Sequence, residues 1–513
     1  MIAVVDFGSQ YTHLIARRIR QLGVRAEIFP PQTNLSQIEN LRGIIFSGGP
    51  QSVYDKDSLK TPISNLRLNR PILGICYGHQ FLAKALGGGV QAGTTREYGR
   101  EIVKIVNRSP LFAGLAKNQK VWLSHGDQVV NLPAGFKVTA SSESCPIAAY
   151  EGARLRQGFS GQGQIFGLQF HPEVVHTENG QAILENFVRI CGAEKDWNIK
   201  DQVSRLVGEI RSEVGNEKVL IAVSGGVDSL VAATLLNKAV PGQAYSIFVD
   251  SGLLRAGEAE EVKNLFAGFK KFRFVAASKL FLTRLKGVGD PERKRKIIGK
   301  TFIEVFTKEG SRLGKREKIK FLAQGTIYPD RIESAAPSKQ AAKIKSHHNV
   351  VLPKNLKLKL LEPLKEFYKD EVRELGETLG LPKERLWRHP FPGPGLAVRI
   401  LGEVTKERLA ILREADAIYI DEIQKAKVYD EIWQAFAALL PVKAVGVMGD
   451  ARTYEYMISL RAVTSRDGMT ADWFKMPAEV FEKISSRIVN NVKGVNRVVY
   501  DITQKPPATV EYE

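Results

Sequence analysis

From Met1 to about Cys191, short β-branched runs alternate with amphipathic stretches: IAVVDFG, THLIARRIRQLG, GIIFSGG, then PILGIC followed by YGHQFLAKALGG. Brief apolar runs predict strands, and apolar positions at helical spacing predict the helices between them, so the order reads as a βαβ sheet domain over 1–195. Gly87-Gly88-Gly89 marks the stop of the preceding helix, since glycine takes the left-handed cap conformation cheaply. Near Glu194 to Trp197 the pattern breaks, and a helical stretch through Val203, Leu206, Val207 and Ile210 leads into VLIAVSGG. Beyond it come helix VDSLVAATLLNKA, strand AYSIFVDSG, a helix near Glu258 to Phe266, strand FRFVAAS, a long helical segment from Glu292 and strand FLAQGT. This predicts a second parallel α/β unit over 196–388. The cluster RHPFPGPGLAV, Arg388 to Val398, blocks helix with its prolines and permits turns with its glycines. A third, smaller α+β unit over 389–513 carries a helical pattern from Lys406 to Ile423, strands around MISLRAV and RVVYDIT, and the charged end KPPATVEYE. The fold class expected is therefore α/β, two parallel-sheet domains plus a smaller α+β domain.

Composition narrows the function classes. At 513 residues, with 43% hydrophobic and 25% charged residues, the chain has ample apolar content for several cores. A net charge of +19 attracts nucleic acids or phosphorylated small molecules. The basic residues are spread out, concentrating only at Arg293–Lys296 and Lys354–Lys359, and no stacking aromatics in a basic groove are recognisable, so small anionic ligands are favoured over nucleic acid. Cys76, Cys145 and Cys191 form no C-x-x-C pair, which argues against zinc or a redox centre. No basic-then-apolar leader and no run of ~20 apolar residues occurs, so a cytoplasmic protein without membrane contact is expected.

Gly74-Ile75-Cys76-Tyr77-Gly78 follows an apolar strand and opens a helix, matching the turn whose glycines allow a strained backbone to present a nucleophile. A thiol at a helix N-terminus is favoured as thiolate. By itself Cys76 fits an inert buried thiol equally well. The later run QIFGLQFHPEV places His171 and Glu173 two apart, and strand alternation would put both on one side, where the carboxylate can orient an imidazole serving Cys76.

Together with Ser47-Gly48-Gly49-Pro50 and Ser124-His125-Gly126-Asp127, these motifs resemble a class I glutamine amidotransferase domain. The resemblance implies Cys76, His171 and Glu173 as a triad, oxyanion donors from the backbone around Gly48, Gly49 and Tyr77, and glutamine held by Gln80 with Ser124, His125, Gly126 and Asp127. The stretch 154–164 reads as an exposed insertion in the hairpin before the histidine run.

Ser224-Gly225-Gly226-Val227-Asp228-Ser229 sits between a strand and a helix, where backbone N–H groups and the helix dipole favour an anion. It lacks the G-x-x-x-x-G-K-[ST] pattern of a γ-phosphate loop. S-G-G-V-D-S is similar to the signature of the N-type ATP pyrophosphatases, which implies ATP cleavage to AMP and pyrophosphate. That resemblance also implies ATP contacts from Ser224 through Leu230 and Val249, and Mg²⁺ with Asp228 as a contributor.

The two domains in this order, with DPERKRKIIG, QGTIYPD, IKSHHN, RHPFPGPGLAVR, GVMGD and DITQKPPATVEYE, resemble the glutamine-hydrolysing GMP synthetase family over essentially the entire chain. The resemblance implies XMP held by Arg295, Asp450, Lys505, Val510 and Glu511, a homodimer formed through the third unit, and a protected passage for ammonia. Without it, Lys505 and Glu511 read as a solvated tail. The family's lid is IKSHHN followed by a glycine pair; here Lys345, His347 and His348 lead into Val350-Val351, so a stiffer lid is expected. An alternative is an amidotransferase of the same class with another acceptor, against which the KPPATVEYE end argues.

Overall fold

The computed structural model describes residues 1–55, 57–153, 164–174, 176–330, 358–448, 451–465 and 470–513. The insertion at 154–163, the lid residues Lys345, His347 and His348, and Asp450 lie outside the described residues. The chain forms two compact units, Met1–Asp201 and Gln202–Glu513.

The first unit is built on a nine-stranded sheet of β1 (Ile2–Val5), β2 (Ala26–Phe29), β3 (Gly43–Phe46), β4 (Ile72–Ile75), β5 (Gly89–Ile105), β6 (Asn118–Asn131), β7 (Phe136–Ser141), β8 (Ala149–Ala153) and β9 (Gln164–Leu168). The order across the sheet is β2-β1-β3-β4-β9-β8-β7-β5-β6. The first five strands are parallel, and the remaining four are added antiparallel. Helices α1 (Thr12–Gln21), α2 (Ile63–Leu66), α3 (Tyr77–Ala85) and α4 (Gly180–Ile190) accompany it. β1, β3 and β4 are buried at every residue, because apolar material covers both sheet faces. Alternation divides them: Ile2, Val4, Ile45, Leu73 and Ile75 pack with α1 and α4, while Ala3, Val5, Ile44, Phe46 and Ile72 pack with Tyr77, Leu82 and Ala83 of α3. Gly87, at φ +96°, ends α3 as expected, and the Gly88 N–H donates back to the Ala83 carbonyl at 2.8 Å.

Helix α5 (Ile199–Val214) leads into the second unit. Its parallel sheet runs β12-β11-β10-β13-β14, from β10 (Val219–Val223), β11 (Ala244–Asp250), β12 (Phe272–Ala276), β13 (Phe321–Ala323) and β14 (Lys359–Leu361). The helices of this sheet are α6 (Val227–Ala239), α7 (Glu258–Leu265), α8 (Ser278–Leu285), α9 (Pro291–Glu317), α10 (Lys369–Thr378) and α11 (Lys383–Leu386). After the Pro/Gly cluster come α12 (Lys406–Lys425), β15 (Gln434–Met448), β16 (Ala451–Thr464), β17 (Asp472–Trp473), α13 (Ala478–Asn491) and β18 (Val495–Tyr500). β15 and β17 flank β16 antiparallel, and β18 pairs parallel with β16. One apolar cluster joins Leu220, Ile247 and Phe281 to Leu396, Leu412, Tyr419, Ile458 and Ile484. The segment after Arg388 is thus built onto the same core as the central sheet.

Candidate active sites

Cys76 caps the N-terminus of α3 with φ +52° and ψ −106°, a backbone that a side-chain-bearing residue rarely adopts. Its N–H is tied to the Leu168 carbonyl at 2.8 Å, which joins the end of β4 to the end of β9. A Cβ on Gly74 would stand 2.5 Å from the Gly78 carbonyl oxygen, and one on Gly78 would stand 2.4 Å from that of Phe46. The elbow's glycines therefore let α3 lie directly on the strands, with Cys76 buried at the turn between them. Its thiol donates to the Ser124 carbonyl of β6 at 3.5 Å.

β9 ends at Leu168, so His171 and Glu173 lie in the turn beyond it rather than on one face of a strand as expected. Pro172 has no N–H to continue a ladder. The turn still brings them together: His171 Nδ1 and Glu173 Oε1 are 2.7 Å apart, with the side chains 4% and 0% exposed. Cys76 lies close enough to the imidazole to favour its charged form, so the three groups act on one another. Burial disfavours the imidazolium, but the charge of Glu173, seconded by Cys76, outweighs burial and holds the His171 pKa well above its ordinary value. The His171 backbone is fixed on both sides, its N–H donating to the Trp122 carbonyl at 3.1 Å and its carbonyl accepting from Thr177 Oγ1 at 2.6 Å. The Arg18 guanidinium donates to the Glu173 carbonyl at 3.1 Å.

The Ser47–Pro50 turn faces this group. Ser47 Oγ accepts from the Phe7 N–H at 2.9 Å and donates to the Gly48 carbonyl at 2.8 Å. A Cβ on Gly48 would meet His171 Cε1 at 3.1 Å, and one on Gly49 would meet the Phe7 carbonyl at 2.5 Å. The Tyr77 N–H belongs to the first helical position, which has no intrahelical acceptor. The buried Gln80 amide donates to the Asp127 carbonyl at 2.7 Å and to Gln169 Oε1 at 3.2 Å, and Asp127 Oδ2 accepts from Ser52 Oγ at 2.5 Å. Gln80 therefore anchors the 124–127 stretch of β6 rather than facing open space. The arrangement can support nucleophilic attack by a thiol with proton transfer through a buried imidazole.

In the second unit, Ser224–Ser229 joins β10 to α6 as the motif demands, with Gly225 at φ +81° and Gly226 as the helix N-cap. Ser224 and Ser229 hydroxyls lie 3.2 Å apart, and Ser224 Oγ accepts from the Gly226 N–H at 3.3 Å. Val227 of the loop, Leu230 and Val249 are buried. Asp228 projects from the first turn of α6, and both of its carboxylate oxygens accept from Lys369 Nζ at 2.7 Å. Arg388 donates through one nitrogen to Glu258 and through another to the Gly225 carbonyl. The residues after β11 are held as well, since the Leu396 N–H donates to the Leu253 carbonyl at 2.8 Å and Arg413 donates to the carbonyls of Leu254 and Gly252.

The acidic end of the chain is not a solvated tail. Glu511 forms a two-pronged pair with the fully buried Arg399, at 3.0 and 2.9 Å, and accepts from Gln434 at 2.6 Å. The Val510 carbonyl accepts from buried Arg461 at 2.9 Å. Arg295 donates to the Glu513 carbonyl, and Lys294, also fully buried, donates to the carbonyls of Ala397 and Ile400 and to the Glu513 carboxylate. Burial lowers the Lys294 pKa against the opposing pull of Glu513. Lys505 exchanges backbone bonds with Ala471 at 3.0 and 2.8 Å. Arg295, Val510 and Glu511 are thus gathered around one segment. No site role was assigned from sequence to Lys294, Lys369, Arg388 or Arg399, although Lys294 lies inside the ERKRK run and Arg388 and Arg399 bound the RHPFPGPGLAVR motif.

The sequence has counterparts in known proteins. A family model described as glutamine amidotransferase class-I matches residues 3–191, and one described as GMP synthase C terminal domain matches residues 421–512. The chain is 56% identical over 520 residues to the GMP synthase (glutamine-hydrolyzing) of Carboxydothermus hydrogenoformans, covering 100% of this chain and 99% of that protein. Identity is 54% to the protein of that name from Thermosipho melanesiensis and 53% to that from Geobacillus kaustophilus, with 100% of this chain and 99% of each relative covered.

Proposed function

The chain belongs to the glutamine-hydrolysing GMP synthase family, and from that premise we propose how its own residues divide the conversion of XMP to GMP, with ATP as cosubstrate and glutamine as nitrogen donor. The observation that carries the reading is the 56% identity spanning the full length of a relative bearing that name. The reaction is a carbon–nitrogen ligation in guanine nucleotide synthesis.

In the first unit, Cys76 attacks the amide carbon of glutamine, and the N–H groups of Gly49 and Tyr77 receive the developing oxyanion. His171 takes the thiol proton from Cys76 as the C–S bond forms, holds it as an imidazolium beside Glu173, and donates it to the departing ammonia. Water then releases glutamate from the thioester, with His171 as base. What supports this assignment is the 2.7 Å pair of His171 and Glu173 beside the elbow thiol.

Residues 196–388 carry the adenylylation. The Ser224–Ser229 loop receives the pyrophosphate of ATP while an oxygen of XMP attacks the α-phosphorus, giving adenylyl-XMP and pyrophosphate. Ammonia then displaces AMP to leave GMP. Mg²⁺ would neutralise the pyrophosphate charge when bound. Asp228 suits it, because Mg²⁺ takes one or two carboxylates together with substrate phosphates, and among the described residues no cluster of three or more His, Cys, Asp or Glu side chains offers another cage. Lys369 would then share Asp228 with the ion. Arg295, Lys505, Val510 and Glu511 hold XMP, with Asp450.

Residues 389–513 also form a homodimer. In support, Val445, Val447 and Tyr454 are 58%, 72% and 65% exposed on one face of the β15–β16 ribbon, where Val445 pairs with Tyr454. A cytoplasmic setting suits three free cysteines, and among the described residues no helix is long and apolar enough to cross a membrane.

The test combines XMP, Mg-ATP and glutamine, and follows GMP, AMP and glutamate in the intact protein and in Cys76→Ala. Glutamine should fail in the variant while added ammonia still yields GMP. Absence of GMP from the unaltered protein with either nitrogen source overturns the reading.

A further inference from the structure

The Pro/Gly cluster enters the second unit with Arg388, a residue with no role in the chemistry above. Its side chain is 15% exposed and bridges two elements: one nitrogen donates to the Glu258 carboxylate and another to the Gly225 carbonyl. Glu258 is itself only 4% exposed and opens α7, and its second oxygen accepts from the Arg255 N–H at 3.2 Å. The guanidinium is therefore neutralised by a fixed partner and oriented by it.

Gly225-Gly226 is the most permissive peptide of the anion loop. Gly225 stands at φ +81° and Gly226 at φ −71°, ψ 153°, and glycine allows the unit between them to turn over with little steric cost. A trans peptide directs its C=O and its N–H to opposite sides. Holding the Gly225 carbonyl toward Arg388 therefore turns the Gly226 N–H into the loop, where Ser224 Oγ accepts from it at 3.3 Å. A flipped unit would aim a carbonyl oxygen at a polyphosphate in place of an N–H.

We propose that Arg388, set by Glu258, is a positioning residue for ATP that locks the Gly225–Gly226 peptide in its phosphate-accepting orientation. This rests on the assignment of the Ser224–Ser229 loop to ATP. The two bonds of the clamp reach Glu258 and the phosphate loop.

The experiment uses the full-length protein with ammonia as nitrogen source, so the glutamine site is bypassed. Formation of GMP by the unaltered protein checks the assignment of function independently of the clamp. Arg388→Lys keeps the charge but cannot span both acceptors, and Glu258→Gln keeps an acceptor while removing the charge that holds the guanidinium. Loss of a charged hydrogen bond should raise the ATP KM in Arg388→Lys by roughly tenfold or more. The inhibition constant of pyrophosphate should rise in parallel, with a smaller rise in Glu258→Gln. Inhibition by AMP, the XMP KM and glutamate release should stay within about twofold. A general structural role would weaken AMP and XMP together with pyrophosphate. Either that pattern or unchanged ATP and pyrophosphate constants in both variants overturns the proposal.

Discussion

His171 Nδ1 and Glu173 Oε1 meet at 2.7 Å inside the first unit, with both side chains buried. Burial by itself would lower the histidine's pKa; the carboxylate and the neighbouring Cys76 reverse the sign. Glu173→Gln keeps the hydrogen bond and deletes the charge, so burial regains its weight and the imidazolium loses its proton at lower pH. Glutamate release should fall by roughly 10²-fold or more, the scale of proton-transfer catalysis. The alkaline limb of its pH profile should also move toward lower pH. GMP formation from added ammonia should be unaffected. An alkaline limb that stays in place in the variant would sink this account of His171.

Two glycines of the same helix region are needed for different reasons. At Gly78 the obstacle is space, because a Cβ would sit 2.4 Å from the Phe46 carbonyl oxygen. At Gly87 nothing lies within 4 Å, and the obstacle is the φ of +96°. Gly78→Ala should push α3 off the sheet, costing about 1–3 kcal/mol or more and displacing Cys76. Gly87→Ala should cost about 1 kcal/mol and leave the elbow in place. Thermal unfolding with glutamate release separates them: both lower Tm, and only Gly78→Ala abolishes the glutaminase.

What could be read from the chain divides along these lines. The elbow, the His171–Glu173 couple and the Ser224–Ser229 loop are contiguous motifs whose chemistry is local, and the structure folds each as a unit. Strand alternation failed at His171 because β9 stops at Leu168, although the apolar pattern runs on through Phe170. The ionic partners that brace the sites escaped because they carry no periodic signal: Arg388 and Glu258 are 130 residues apart, Lys369 and Asp228 141, Arg399 and Glu511 112. Hydrophobic patterning locates layers, whereas a long-range ion pair is specified only once the layers are assembled. Of the long ribbon only MISLRAV, within β16, was legible as a strand; β15 and helix α13 were not, since half-exposed segments with scattered charges match no clean template.

His389 supplies a test that needs no substrate. Its Nδ1 accepts from the Ala435 N–H at 3.1 Å, Nε2 lies 3.0 Å from the Tyr429 carbonyl, and the ring stacks on Tyr429 at 3.8 Å. With Nδ1 accepting, the single ring proton belongs on Nε2. A second proton on Nδ1 would face the Ala435 donor. Burial chiefly, then the nearby Arg255 charge, lowers the pKa to about 4, although the backbone carbonyls and Asp430 pull the other way. The native imidazole therefore stays neutral while the unfolded one takes a proton near pH 6.5. Its contribution is complete above about pH 6.5 and is lost as pH falls from there toward 4. The loss amounts to on the order of 3 kcal/mol. His389→Gln cannot titrate, so although less stable at neutral pH it should lose less on acidification. Denaturant midpoints at pH 7.5 and 4.5 compare the two proteins, other carboxylates being common to both. Equal acid sensitivity would mean that His389 is protonated in the native state and that the Ala435 bond does not hold its tautomer.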